Sequence, residues 1–137
     1  MKVLSVAYPF APVDADPVGG AEQVLAAVDR AMVSAGRRSV VVAQEGSTVT
    51  GELVSVPAVR GEITPAERAR IHAAVHEAVA GVLARERVDL VHLHGIDFPA
   101  YLPPPGVPKL ATLHLPVAWY DRAALRRRDL QIGRAHV

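Results

Sequence analysis

The feature that most constrains the fold is an apolar run, an amphipathic helix and a second apolar run in close succession. Val3-Leu4-Ser5-Val6-Ala7 is bounded by Pro9, and Ser39-Val40-Val41-Val42-Ala43 is bounded by Gly36 and Gly46. Both are short, apolar and rich in β-branched residues, as buried strands are. Between them Ala21, Val24, Leu25, Val28, Met32 and Ala35 recur at three- and four-residue spacing, which predicts a helix with one apolar face over residues 20–35. Gly36 supplies the left-handed position that ends it. A strand, a helix and a strand joined at this length make a right-handed parallel crossover.

The alternation continues downstream. Leu53-Val54-Ser55-Val56-Pro57 is a weaker strand, and Thr64-Pro65-Ala66-Glu67 is a capping box with proline in the first turn. The helix it opens carries Ile71, Ala74, Val75, Ala78, Val82 and Leu83 on one face and runs to about Arg87. Leu90-Val91-His92-Leu93-His94 is the next strand, stopped by Gly95. After a proline-rich stretch over residues 101–108, Lys109-Leu110-Ala111-Thr112-Leu113-His114 is the last, closed by Pro116. Alternating strands and helices predict an α/β fold, a parallel sheet with helices on both faces. At 137 residues, half of them apolar, the chain suits one domain.

Composition removes several function classes. Fifteen Lys and Arg stand against fourteen Asp and Glu, so no net field holds a polyanion, and nucleic acid is not an expected partner. The absence of cysteine removes disulfide frameworks, thiolate zinc sites and cysteine nucleophiles. No segment approaches the ~20 apolar residues of a membrane span. Tyr8-Pro9-Phe10 interrupts the N-terminal apolar run before a signal-peptide core forms, so the start of the chain reads as a strand and the default location is the cytoplasm.

Ligands of open parallel sheets sit outside the carboxyl ends of the strands, so the residues after each strand are the informative ones. Residues 8–22 form a long loop ending in Gly19-Gly20-Ala21-Glu22 at the start of the first helix. There two glycines admit close approach to backbone amides, and the helix end adds partial positive charge, which suits a phosphate or diphosphate. It is neither a G-x-G-x-x-G fingerprint nor a phosphate loop ending in G-K-[ST]. Period-two alternation puts His92 and His94 on one side of their strand with His94 at its end, and His114 ends the following strand. One strand-end histidine is usually a satisfied structural group; two at neighbouring carboxyl ends point to a site.

Other clusters carry less. His72 and His76 lie four apart on the long helix with no third ligand and no H-E-x-x-H, and read as helix surface. Asp14 and Asp16 lack a calcium-loop context and read as turn formers. Arg126-Arg127-Arg128 reads as a solvated helix end, and is also the local support for contact with an anionic membrane face.

The ordered set, Gly19-Gly20-Ala21-Glu22 opening a helix that ends at Gly36, then Asp89-Leu90-Val91-His92-Leu93-His94, then Ala111-Thr112-Leu113-His114, resembles the N-terminal domain of family 4 glycosyltransferases. These are retaining enzymes of the GT-B fold, and the likeness covers nearly all of residues 1–130. It implies a Rossmann-like domain on the acceptor side of a cleft, with a nucleotide-sugar donor and a sugar, lipid or small-molecule acceptor as partners. By position, Gly19 and Gly20 would face the donor diphosphate, His94 would contact the donor sugar near the reacting carbon, and His114 would line the acceptor side. No cofactor and no metal are implied, because a helix end and basic residues neutralise the leaving diphosphate. Lipid-linked acceptors, common in the family, would bring the domain to the inner face of the membrane.

The family's basic pair and carboxylates that grip the nucleotide sugar belong to a C-terminal domain that these residues do not contain. Gln131-Ile132-Gly133-Arg134-Ala135-His136-Val137 resembles, residue for residue, the translation of a short-read sequencing adapter. The expectation is therefore a truncated domain over residues 1–130 with a non-native tail over 131–137, inactive alone but derived from a transferase gene. Two alternatives stay open: a sugar-nucleotide epimerase of the same architecture, and a non-catalytic Rossmann-like binding module.

Overall fold

The computed structural model describes residues 1–17 and 19–134. Six strands, β1 (Lys2–Val6), β2 (Arg38–Gln44), β3 (Glu52–Val56), β4 (Leu90–Leu93), β5 (Lys109–Leu113) and β6 (Leu130–Arg134), form one sheet in the order β3-β2-β1-β4-β5-β6. Every neighbouring pair is parallel. The α/β architecture with helices on both faces is as the sequence predicts.

Helix α1 (Gly20–Ser34) covers β1 and β2 on one face, with Leu25 packed against Ala7, Val13, Val41 and Ala43. Its end is a Schellman motif. Gly36 has φ 71°, its N–H donates to the Val33 carbonyl at 3.0 Å, and the Arg37 N–H donates to Met32 at 2.8 Å. The buried face of α1 is centred on Leu25, Ala26 and Asp29, with Val24, Val28 and Met32 at its flanks.

Helix α2 (Pro65–Arg85) lies on the opposite face and buries Ile71, Val75, Val79 and Val82 against the larger core of Leu4, Val6, Val40, Val42, Val91 and Leu93. The Thr64 hydroxyl caps it, accepting from the Glu67 N–H at 3.1 Å. Only half of the expected capping box forms, because the Glu67 carboxylate turns to Arg70, 2.8 Å away, instead of back to Thr64. A 3₁₀ turn over Phe98–Tyr101, another over Val117–Trp119 and the single turn α3 (Arg122–Leu125) close the loops around β5, with Phe98, Tyr101, Tyr120 and Ala124 buried in the same core.

Two features lie beyond the sequence reading. β2 and β3 are joined by a seven-residue connection, residues 45–51, with no helix between them. Asp29 on α1 secures it: its carboxylate accepts from Ser39 Oγ at 2.7 Å, Thr50 N at 2.6 Å and Gly51 N at 3.1 Å, and is 1% exposed. The second is β6, which pairs with β5 from Lys109↔Leu130 to Leu113↔Arg134 and so takes residues 131–134 of the tail into the sheet. Ladder pairing is a backbone property open to any extended chain, so it is independent of where those residues come from. Residues 135–137, with His136, lie outside the described residues.

Candidate functional site

Strand order fixes where a ligand can enter. From β1 the chain crosses to β2 and β3 on one side and to β4, β5 and β6 on the other, which opens a crevice at the carboxyl ends of β1 and β4. A cavity of about 380 Å³ lies there. Tyr8 lines it from the end of β1; Gly20, Ala21 and Glu22 from the start of α1; His94, Gly95 and Ile96 from the end of β4; and His114, Leu115 and Tyr120 from the segment after β5.

Of the residues singled out from sequence, Gly20, His94 and His114 come together in this cavity. Gly19 is the N-cap of α1 and lines an adjoining hollow of about 320 Å³ with Asp14 and Glu22. Glu22 is common to both. Its carboxylate folds back over Gly19, into the space that a Cβ at position 19 would take. A negative group beside the first turn of α1 is favourable for the helix dipole. The amides expected to meet a diphosphate are therefore neighboured by the chain's own carboxylate.

The histidines form a stack. The His92 and His94 ring centroids are 3.9 Å apart, and His94 and His114 lie nearly parallel at 5.5 Å with an interplanar angle of 19°. This is what period-two alternation along β4 and adjacency of β4 and β5 require. His92 Nε2 is 2.7 Å from Thr112 Oγ1, and His94 Nδ1 is 3.3 Å from His114 Nε2. His92 sits behind the cavity wall and His94 is 2% exposed. His94 Nε2 is buried without any hydrogen-bonding partner, and an orphaned polar atom in a cavity wall marks a place for a ligand group or a water.

Burial keeps all three imidazoles neutral. Desolvation pushes His92 down to about 4, with His114 adding to the effect. It holds His94 well below the ordinary histidine value, helped by repulsion from His92 and His114. His114 is lowered too, first by desolvation, against an opposing pull from the Glu22 carboxylate. Neutral rings can offer one N–H and one lone pair each. Among the described residues no group of three or more His, Asp or Glu is placed to hold a metal ion.

The loop after β4 is braced by a network that the sequence reading missed. Asp97 lies 2.7 Å from His72 Nε2 and accepts from the Tyr101 hydroxyl at 2.7 Å. Tyr101 is buried, and desolvation beside Asp97 raises its hydroxyl well above the usual tyrosine range. His72 is therefore no surface residue: it packs edge-on against Phe10 and holds Asp97, while His76 is exposed as expected. Gly95 is needed here, since a Cβ would stand 2.5 Å from both Asp97 Oδ1 and the Tyr101 hydroxyl. The four-residue spacing of Asp97 and Tyr101 was the available signal. The Tyr120 hydroxyl closes the other wall by accepting from the His114 N–H at 3.1 Å.

The remaining candidates are surface features. Asp14 and Asp16 are exposed, Arg127 pairs with Asp129 at 2.7 Å, and Arg126 caps the end of α3. Among the described residues no helix is long and apolar enough to cross a membrane.

No curated protein matches the chain. Comparison with protein families matches residues 18–136 to Glycosyltransferase Family 4, a span that takes in α1 with its glycine pair, the His92 and His94 strand, His114 and most of the tail. With the fold, the cavity at the strand crossover and that match in agreement, the chain belongs to glycosyltransferase family 4.

Proposed function

We propose that these residues form the acceptor-side domain of a retaining glycosyltransferase that moves a hexosyl group from a nucleotide sugar to a sugar, lipid or small-molecule acceptor. The observation that carries the reading is the cavity in the β1/β4 crevice, where the start of α1 meets the paired rings of His94 and His114 and where His94 Nε2 has no partner. The donor diphosphate takes the amides of Gly19 and Gly20, where the helix end opposes the charge left by the departing group, and the Glu22 carboxylate swings aside to admit it. His94 contacts the donor sugar near the reacting carbon, and His114 lies toward the acceptor. Charge compensation by a helix end and basic residues is the reason to expect transfer without a metal.

One half of a cleft binds weakly, so the test is chemical-shift mapping at millimolar nucleotide sugar. UDP-glucose and GDP-mannose serve as probes. Shifts centred on Gly19, Gly20, Glu22, His94 and His114, with His76 unmoved, are expected; no shift at Gly19, Gly20, His94 and His114 with either probe overturns the proposal. The 137-residue chain alone should transfer no sugar, and appreciable transfer would refute its dependence on a second domain. Residues 131–137 are proposed to be adapter-derived, which genomic DNA carried past the Leu130 codon tests directly.

A further inference from the structure

His94 and His114 share one hydrogen between His94 Nδ1 and His114 Nε2, 3.3 Å apart, and the direction of that bond decides what His94 can do for a ligand. If His114 donates, His94 carries its own proton on Nε2, which is buried and has no partner. If His94 donates, Nε2 is left as a bare lone pair. Orphaned buried N–H groups are rarer and more costly than under-satisfied acceptors. The surroundings of His114 favour the same direction. With Nε2 turned to His94, its remaining nitrogen, Nδ1, belongs to a partly exposed ring that shares the cavity with the Glu22 carboxylate, so a proton there has water and a negative charge for company.

We propose that His114 is a positioning residue: it accepts a hydrogen bond from His94 Nδ1–H and so fixes His94 in the tautomer whose Nε2 is an acceptor for a ligand hydroxyl. The stacking of His94 between His92 and His114, at 3.9 Å and 5.5 Å, holds the ring plane in which that lone pair lies. A site of this kind rewards a sugar hydroxyl and rejects an analogue lacking it, because the buried acceptor is then left unpaired. The step from tautomer to hydroxyl recognition rests on the transferase reading. The tautomer itself does not.

The test is imidazole nitrogen NMR on the histidine-labelled chain without ligand, with His94 assigned from the signals lost in His94→Gln. The expected result is a His94 proton on Nδ1 in the unmodified chain. His114→Gln, whose carboxamide oxygen can still accept, should retain it. His114→Leu should release His94 into a mixture of both tautomers. A His94 proton on Nε2 in the unmodified chain overturns the proposal, as does an unchanged His94 spectrum in His114→Leu. The unmodified chain decides the matter even where His114→Leu does not fold. Failure to bind a nucleotide sugar would remove the transferase reading and leave the tautomer assignment standing.

Discussion

Replacing Asp29 removes the buried acceptor that ties the 45–51 connection to α1. Bonds to an ionised group contribute roughly 1.5–3 kcal/mol each, so three of them set an upper bound of about 4.5–9 kcal/mol. Two effects reduce it. Relief of the carboxylate's own desolvation offsets part of the loss, and a hollow of about 110 Å³ beside Asp29 and Thr50 gives water access to one of the freed donors. Asp29→Ala should therefore cost about 2–4 kcal/mol, a large share of the 5–15 kcal/mol typical of a domain. Asp29→Asn is the sharper variant. Its one oxygen can keep Ser39 and Gly51, but its amide nitrogen then faces the Thr50 N–H across 2.6 Å, two donors in contact. A loss of about 2 kcal/mol is expected although shape is conserved. In urea melts followed by far-ultraviolet circular dichroism, with a slope of about 2 kcal/mol/M, the midpoint falls by about 1–2 M for Asp29→Ala and about 1 M for Asp29→Asn. Ser39→Ala should cost much less in the Asp29→Ala background than alone, because its hydroxyl partner is already gone. An Asp29→Asn protein within about 0.5 kcal/mol of the unmodified chain would refute the reasoning.

Gly95→Ala should lose about 1–3 kcal/mol, read in the same melts, since the new methyl collides with Asp97 Oδ1 and the Tyr101 hydroxyl that brace the loop after β4; an unchanged midpoint would mean that the loop yields freely. Stability should fall with acid in a defined window. His92 titrates near 4 in the folded chain against 6.5 unfolded, so below pH 6.5 the unfolded state binds more protons and stability, full above that pH, drains away toward pH 4. His92→Gln should flatten the midpoint-against-pH curve between those values, and an unaltered slope would contradict the assignment. Lys109 is buried and its ammonium meets Asp129 at 3.2 Å. Asp129→Ala, which leaves the ammonium only the Val107 carbonyl, should lower the thermal midpoint, whereas Lys109→Met, which removes the charge itself, should lower it less; equal losses would contradict the pairing.

The parallel sheet was legible because each of its first five strands is an apolar run with punctuation, and the two long helices because their stripes repeat at helical period. Gly36 and Thr64 stood at the ends they were read to mark. What periodicity does not report is a polar residue turned inward. Asp29 sits on α1 one turn from Leu25 and looks in sequence like any solvated carboxylate; only the return of residues 39, 50 and 51 to the same spot gives it a role. His72 is the same case on α2, since Asp97 lies 25 positions away. The 3₁₀ turns and the four-residue α3 are too short to carry a period, so the loops around β5 read only as proline-rich.

The site was legible to the extent that it depends on strand ends. A parallel sheet brings the carboxyl ends of neighbouring strands to one edge, so His94 and His114, each the first residue past its strand, had to meet once β4 and β5 were adjacent. Their pairing through particular nitrogens depends on a second layer, contributed by residues whose roles are set in space: Thr112 against His92, Tyr120 on the His114 amide, Glu22 reaching across from α1. Burial, and not these partners, keeps the rings that line the cavity neutral, since the Glu22 carboxylate pulls His114 the other way. Two cationic imidazoles under 6 Å apart would repel, and the buried position of His94 admits no charge without a partner. The crevice thus combines uncharged hydrogen-bonding rings on the β4/β5 side with a helix end and the Glu22 carboxylate on the α1 side. The proposed donor, a sugar joined to a diphosphate, would set its hydroxyls against the first wall and its anion against the second only once that carboxylate has moved.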